Sequence, residues 1–309
     1  MSTSDYALSI VEPIVITDNI LAGTDVAEDD YAAWSSGATY ALGDRVILTS
    51  THKIYESLQA ANTNKNPVTE LAWWVEVSPT NRWKLFDTSN STQTTQPDSP
   101  RNTFYYEFEF GQAVNSFAAL NLTNCTKINI TMNDPTYGEV YNNTIDLTSL
   151  PLTVGWWNWF FGQRSVPVQA IDLGLPTYPN ATIVVTFSGG DSLAVGTVIF
   201  GQQQKFGLGI RYGARTGIQD YSRKETNEFG DLVLVQRAYA KRANFSLFLD
   251  KGETDPLQSY LTDIRAVPCL WVGSSSYDST IIFGFYKNFD ILISYPEHSE
   301  CELEIEGLT

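Results

Sequence analysis

Hydrophobic and polar residues alternate through most of the chain, with a period of two. Between 103 and 204 the segments TFYYEFEF, SFAALNL, KINITM, VPVQAIDL, ATIVVTF and LAVGTVIFG are short, β-branched or aromatic, and separated by turn clusters such as NDPTYGE and SGGD. Such spacing predicts a β-sandwich or jelly roll. Further on, DLVLVQRAYAKRANFSLFLD predicts two strands, and PCLWVG, TIIFGFYKNFDILISY and CELEIEG predict three more. In the last of these Cys301, Leu303 and Ile305 take one face and Glu302, Glu304 and Glu306 the other, as on a half-solvated strand. Only residues 255–266 carry a helical period. There Asp255 is placed to cap, Pro256 suits the first turn, and Leu257, Tyr260, Leu261 and Ile264 share a face. The predicted class is all-β with one helix.

The N-terminal third is patterned differently. Residues 1–30 hold one apolar run, ALSIVEPIVI, and an acidic turn, which predicts an extended arm with a short strand, of the kind that docks on a neighbouring subunit. Residues 31–87 hold Trp34, Tyr40, Tyr55, Trp73, Trp74 and Trp83 among turn residues and short apolar runs, the pattern of a small β-module with an aromatic core. Residues 88–102, TSNSTQTTQPDSPRN, have the composition of a linker. The expected organisation is therefore an arm (1–30), an aromatic module (31–87), a linker (88–102), a sandwich (103–204) and a C-terminal β-rich assembly domain with the helix (205–309).

Composition narrows what such a chain can do. Its net charge of −16 disfavours general nucleic-acid binding, which needs a positive field. The segment 205–250 is the exception, with 8 Lys/Arg against 5 Asp/Glu, and Arg237, Lys241 and Arg242 within it are candidate contacts to another protein. A second candidate is WWNWFF, residues 156–161. Consecutive rings cannot all face one core, so some of Trp156, Trp157, Trp159, Phe160 and Phe161 are expected to be exposed or to meet a partner, as a sugar platform, a protein-contact patch or packing against a neighbouring domain. No apolar run is long enough to span a membrane, and Met1 is followed by polar residues without a signal-peptide pattern. The three cysteines, Cys125, Cys269 and Cys301, suit neither a disulfide framework nor a zinc site and are expected as reduced thiols.

Ala33-Trp34, Tyr40, Gly43-Asp44, Val46, Tyr55, Pro67 and Trp73 or Trp74 follow the order of landmarks in type 3 chitin-binding (family 5/12 carbohydrate-binding) modules, which 31–87 resembles. The tail of that stretch, PTNRWKLFD, and the run QDYSRKETNEFGDLVLVQRAYAKRANF resemble tailed-bacteriophage virion proteins of the tail or baseplate. VNSFAALNLTNCTKINITM is similar to the front of galactose-binding-like jelly rolls. The resemblance implies a structural protein assembled in the host cytoplasm into the virion tail. Its partners would be other virion proteins and further copies of itself, in a ring or trimer. A glycan-binding receptor-recognition role, using the six rings of the module on a host-surface glycan, is the alternative.

Little in the chain points to catalysis. The two histidines, His52 and His298, stand near no serine elbow, and Gly207, Gly209 and Gly213 do not form a dinucleotide fingerprint. Asp25, Glu28, Asp29 and Asp30 form an acidic cluster without the glycine and spacing of a calcium loop, and are expected to be an acidic linker turn. No enzyme activity, metal or cofactor is expected. Where chitin binders carry platform tryptophans this chain has Leu58 and Gln59. Trp34, Tyr40, Tyr55 and Trp73 are accordingly expected in the module's core, with Trp74 on the opposite strand face.

Overall fold

The computed structural model describes residues 7–89, 91–96, 102–148, 156–157, 167–211, 213–226, 230–293 and 295–308. Among them the chain is all-β with a single α-helix, Thr254–Asp263, and most of its strands belong to one 14-stranded sheet with antiparallel pairing. The helix begins one residue earlier than expected and follows Glu253. Asp255 lies in its first turn rather than capping it, where a carboxylate still favours the positive helix end.

The two longest strands organise the first half. Ser116–Asp134 pairs with Thr182–Phe206 along nearly its whole length. SGGD, expected to separate two strands, instead lies inside one of them. Cys125 pairs with Gly189 while Thr123 pairs with Ala194, so the extra residues bulge out opposite Asn124. A bulge bends the ribbon and strengthens its twist. The two ends of the ribbon then face each other: Phe108, paired in register with Ile183, lies 4.9 Å from Phe200, which pairs with Phe117. One folded ribbon thus supplies both layers of a sandwich-like core, filled by Phe104, Tyr106, Phe108, Phe187 and Phe200. The strand Gly138–Asp146 was not expected. Its Asn142 and Asn143 are poor strand formers, but pairing along the neighbouring strand holds them.

The predicted strand in 1–30 exists as Leu8–Pro13, but its place is inside its own chain. One edge pairs with Gly201–Phe206 and the other with Cys269–Val272, which leaves neither edge open along Ser9–Val11 for another subunit. It joins the sandwich to the C-terminal sheet and buries both faces. Leu8 and Ile10 enter a core with Phe245, Trp271, Leu303 and the helix residues Leu257 and Leu261, while Val11 enters a smaller core with Ala118, Ile199 and Leu270. In the last strand, His298–Gly307, Cys301, Leu303 and Ile305 are buried and Glu302 is exposed, as the period-of-two pattern requires. The supposed linker is partly tied down: Thr94–Thr95 pairs with Ala194–Val195.

Close approach at the central strand is possible because residue 201 is glycine. A Cβ there would lie 2.3 Å from the Glu12 carbonyl oxygen, whereas one at Gly190, in the bulge, would meet nothing within 4 Å. Gly201→Ala should destabilise the chain by about 1–3 kcal/mol, in the range of other overpacked sites, while Gly190→Ala should melt close to the parent. Thermal unfolding of the two variants side by side checks this.

Candidate functional site

The aromatic module is built on three strands, Arg45–Leu48, Lys53–Ser57 and Trp74–Pro79, with a short pair, Thr39–Tyr40 and Asn62–Thr63, beside them. Gly43 adopts φ 88° in the turn before the first strand, and Asp44 accepts a hydrogen bond of 2.7 Å from the Ala41 amide there. Val46 pairs with Tyr55, and Ser57 pairs with Trp74, so these four side chains share one face. Trp74 is the centre of that face: its side chain is 1% exposed, Nε1 donates to the Lys65 carbonyl at 2.8 Å, and Tyr40 meets it edge-on at 5.1 Å.

The expected roles of the two neighbouring tryptophans are therefore reversed. Trp74 is the buried one, opposite the small Ser57. Trp73 precedes the strand and is half-buried, with the Lys65 ammonium 5.4 Å over its ring. Of the six rings proposed to contact sugar, Tyr55, Trp74 and Trp83 are buried, and a stacking surface can draw only on Trp34, Tyr40 and Trp73.

Trp83 belongs to a different structure, the junction between the module and the sandwich. It stacks on His52 with ring centres 3.9 Å apart and meets Phe86 edge-on. His52, at φ 56°, turns its Nδ1 to Glu28 at 3.0 Å, and its Nε2 lies 3.0 Å from Asp18, out of line for a hydrogen bond. Glu28 also accepts from Thr80 Oγ1 at 2.9 Å and lies 4.0 Å from the Arg82 guanidinium. Asp30 takes the Asn81 amide, Arg82 Nε donates to the Val26 carbonyl, and the Tyr106 hydroxyl donates to the Arg82 carbonyl. The acidic cluster expected to be a linker turn thus contributes Glu28 and Asp30 to a hydrogen-bonded seam. Sequence offered one hint of it, the only histidine in the module.

The proposed interface residues separate as well. Trp156 and Trp157 are 71% and 62% exposed and meet edge to face; Trp159, Phe160 and Phe161 lie outside the described residues. Arg237 and Arg242 are exposed. Lys241 is not a surface contact: its ammonium donates to Gln169 Oε1 at 2.9 Å, Gln169 in turn donates to the Asp278 carbonyl, and burial lowers the pKa of the amine. It ties the sandwich to the C-terminal sheet. The strand Leu232–Val235 is a surface feature that its sequence does not announce. All four of its side chains are exposed, although alternation would hide half of them.

Burial pushes the thiols of Cys125 and Cys301 up to about 11 and that of Cys269 to about 12, away from nucleophilic reactivity. Among the described residues no three His, Cys, Asp or Glu side chains form a group able to hold a metal ion, and no helix is long and apolar enough to cross a membrane.

Trp74→Ala should cost about 3–5 kcal/mol, as for other buried tryptophans, enough to unfold a module of this size. Trp73→Ala should cost clearly less. Limited proteolysis of the two full-length variants within 31–87, with the parent as reference, distinguishes them.

No protein-family model matches the chain, and no curated protein or solved structure matches it.

Proposed function

We propose that the chain is a non-catalytic structural component of a tailed-phage virion, in the tail or baseplate, and that it acts by association with copies of itself and with other virion proteins. The observation that carries the associating role is the strand Leu232–Val235. Among the described residues it pairs only with Arg223–Thr226, in a two-stranded ribbon, and its Leu232 and Leu234 are 64% exposed and Val233 and Val235 44%. An isolated two-stranded ribbon is marginal in water, and apolar side chains on both its faces call for a partner. The virion location rests on the resemblance of PTNRWKLFD and of 219–245 to phage proteins. Proteomics of purified particles from a culture that produces the chain should recover it in multiple copies per particle. Recovery only from the particle-free fraction would overturn the proposal.

Glycan recognition is the second reading, favoured by the half-exposed rings of Trp34, Tyr40 and Trp73 in one module. Titration with chitin oligosaccharides should then give saturable quenching of tryptophan fluorescence that Trp73→Ala abolishes. A flat titration removes this reading.

A further inference from the structure

The ribbon has a counterpart on the same chain. It continues the paired strands Arg215–Asp220 and Tyr239–Asp250 beyond the Tyr239 end of the C-terminal sheet. At the opposite end of that 12-residue strand, beside Phe248 and Asp250, lies an open groove of about 700 Å³. Leu208, Ile210 and Phe248 give it an apolar floor, and Asp250, Glu297 and His298 close its side. Leu208 is 61% exposed, and Tyr295, stacked on His298 at 4.5 Å, is 54% exposed. One sheet thus ends in an exposed apolar projection and begins in an exposed apolar recess, separated along the strand by roughly 36–40 Å.

Charge follows the same polarity. On the ribbon the carboxylates Asp220 and Glu225 are paired with Lys224 and Arg223, and a third carboxylate, Asp231, adjoins Leu232. Toward the ribbon's base Arg237 and Arg242 have no ion-pair partner among the described residues. In the groove the single arginine, Arg211, is held by Glu300 at 3.7 Å and lies over the Phe248 ring, while Asp250, which accepts only the Lys251 amide, and Glu297 have no ion-pair partner among the described residues. The base of the projection carries positive charge without an ion-pair partner and the recess negative charge without one.

We propose that the ribbon around Leu232–Val235 of one copy packs into the Leu208–Ile210–Phe248 groove of the next, head to tail. A second copy is the occupant because one chain carries both unsatisfied surfaces, matched in polarity and charge. Their placement at opposite ends of one sheet makes the contact heterologous, so that successive copies close a ring or extend a filament. The partner named here rests on the associating role proposed above, and the purified chain reports on it independently of the particle assay.

The experiment uses three full-length proteins in light scattering over a dilution series. These are the parent, a ribbon variant (Leu232→Ser with Leu234→Ser) and a groove variant (Leu208→Glu). All three changes are at exposed positions, and unchanged thermal melting verifies that the variants fold. The parent should associate into multiples of 34.4 kDa. Each variant alone should be monomeric, with self-affinity reduced about a hundredfold or more, as for other interface hot spots. Mixed together, the variants should form one-to-one dimers and nothing larger, since one intact ribbon then meets one intact groove. Three results would overturn the proposal: a parent that stays monomeric at its highest soluble concentration, a groove variant that still associates, or a mixture that fails to dimerise. The second is the signature of ribbon-on-ribbon pairing.

Discussion

Everything in the larger part of the molecule depends on the strand Leu8–Pro13 being held on both edges. Its amides and carbonyls complete the ladder between Gly201–Phe206 and Cys269–Val272, chain segments far apart in sequence. Without it the sandwich would expose one edge and the C-terminal sheet another, and exposed edges invite pairing with foreign strands. Its run Leu8, Ser9, Ile10, Val11 is buried without alternation because each face meets a different core, and even Ser9 is satisfied by Gln203 at 2.6 Å. A long loop-closure cost is met here before the contacts form. The two halves are therefore expected to unfold together.

Rigidity in this part changes the meaning of the surfaces it carries. Tyr239–Asp250 is anchored by the last strand, by the helix-covered core and, through Lys241 and Gln169, by the sandwich. A projection at one end of such a strand and a recess at the other hold a fixed relation to each other. Fixed geometry between complementary surfaces is what lets repeated copies assemble in one way.

How much was legible before the structure depended on whether a pattern was local. The single helix could be read from Pro256, Leu257, Leu261 and Ile264, and the last strand from the alternation of Cys301, Leu303 and Ile305 with the glutamates, since each needs only its own neighbours. The partner of Leu8–Pro13 could not be read, because an apolar run states that it is buried and not where. SGGD was read as a turn between two strands and lies inside one, because bulge and turn share their residues and only the register on either side of Asn124 distinguishes them. Leu232–Val235 was visible as a strand, but nothing local says that an LVLV run has no core to enter.

The module shows the limit of ring-counting most clearly. Six large rings in 31–87 fit both a core and a sugar platform, and adjacent tryptophans leave the choice between them to strand parity. Parity is set by the partner strand: Tyr55 and Ser57 share a face, Ser57 is small and opposite residue 74, and the space it leaves is filled by the Trp74 indole. A register shift between Ile54 and Tyr55 puts an extra residue into Trp74–Pro79, so counting outward from the strand's far end would reach the wrong face. Trp83 is consumed elsewhere, against His52, where the module meets the rest of the chain. With three rings committed to burial, any sugar recognition by this module depends on half-exposed rings whose other faces already support the fold. Affinity and stability then share residues, and neither can be changed at Trp34 or Tyr40 without the other.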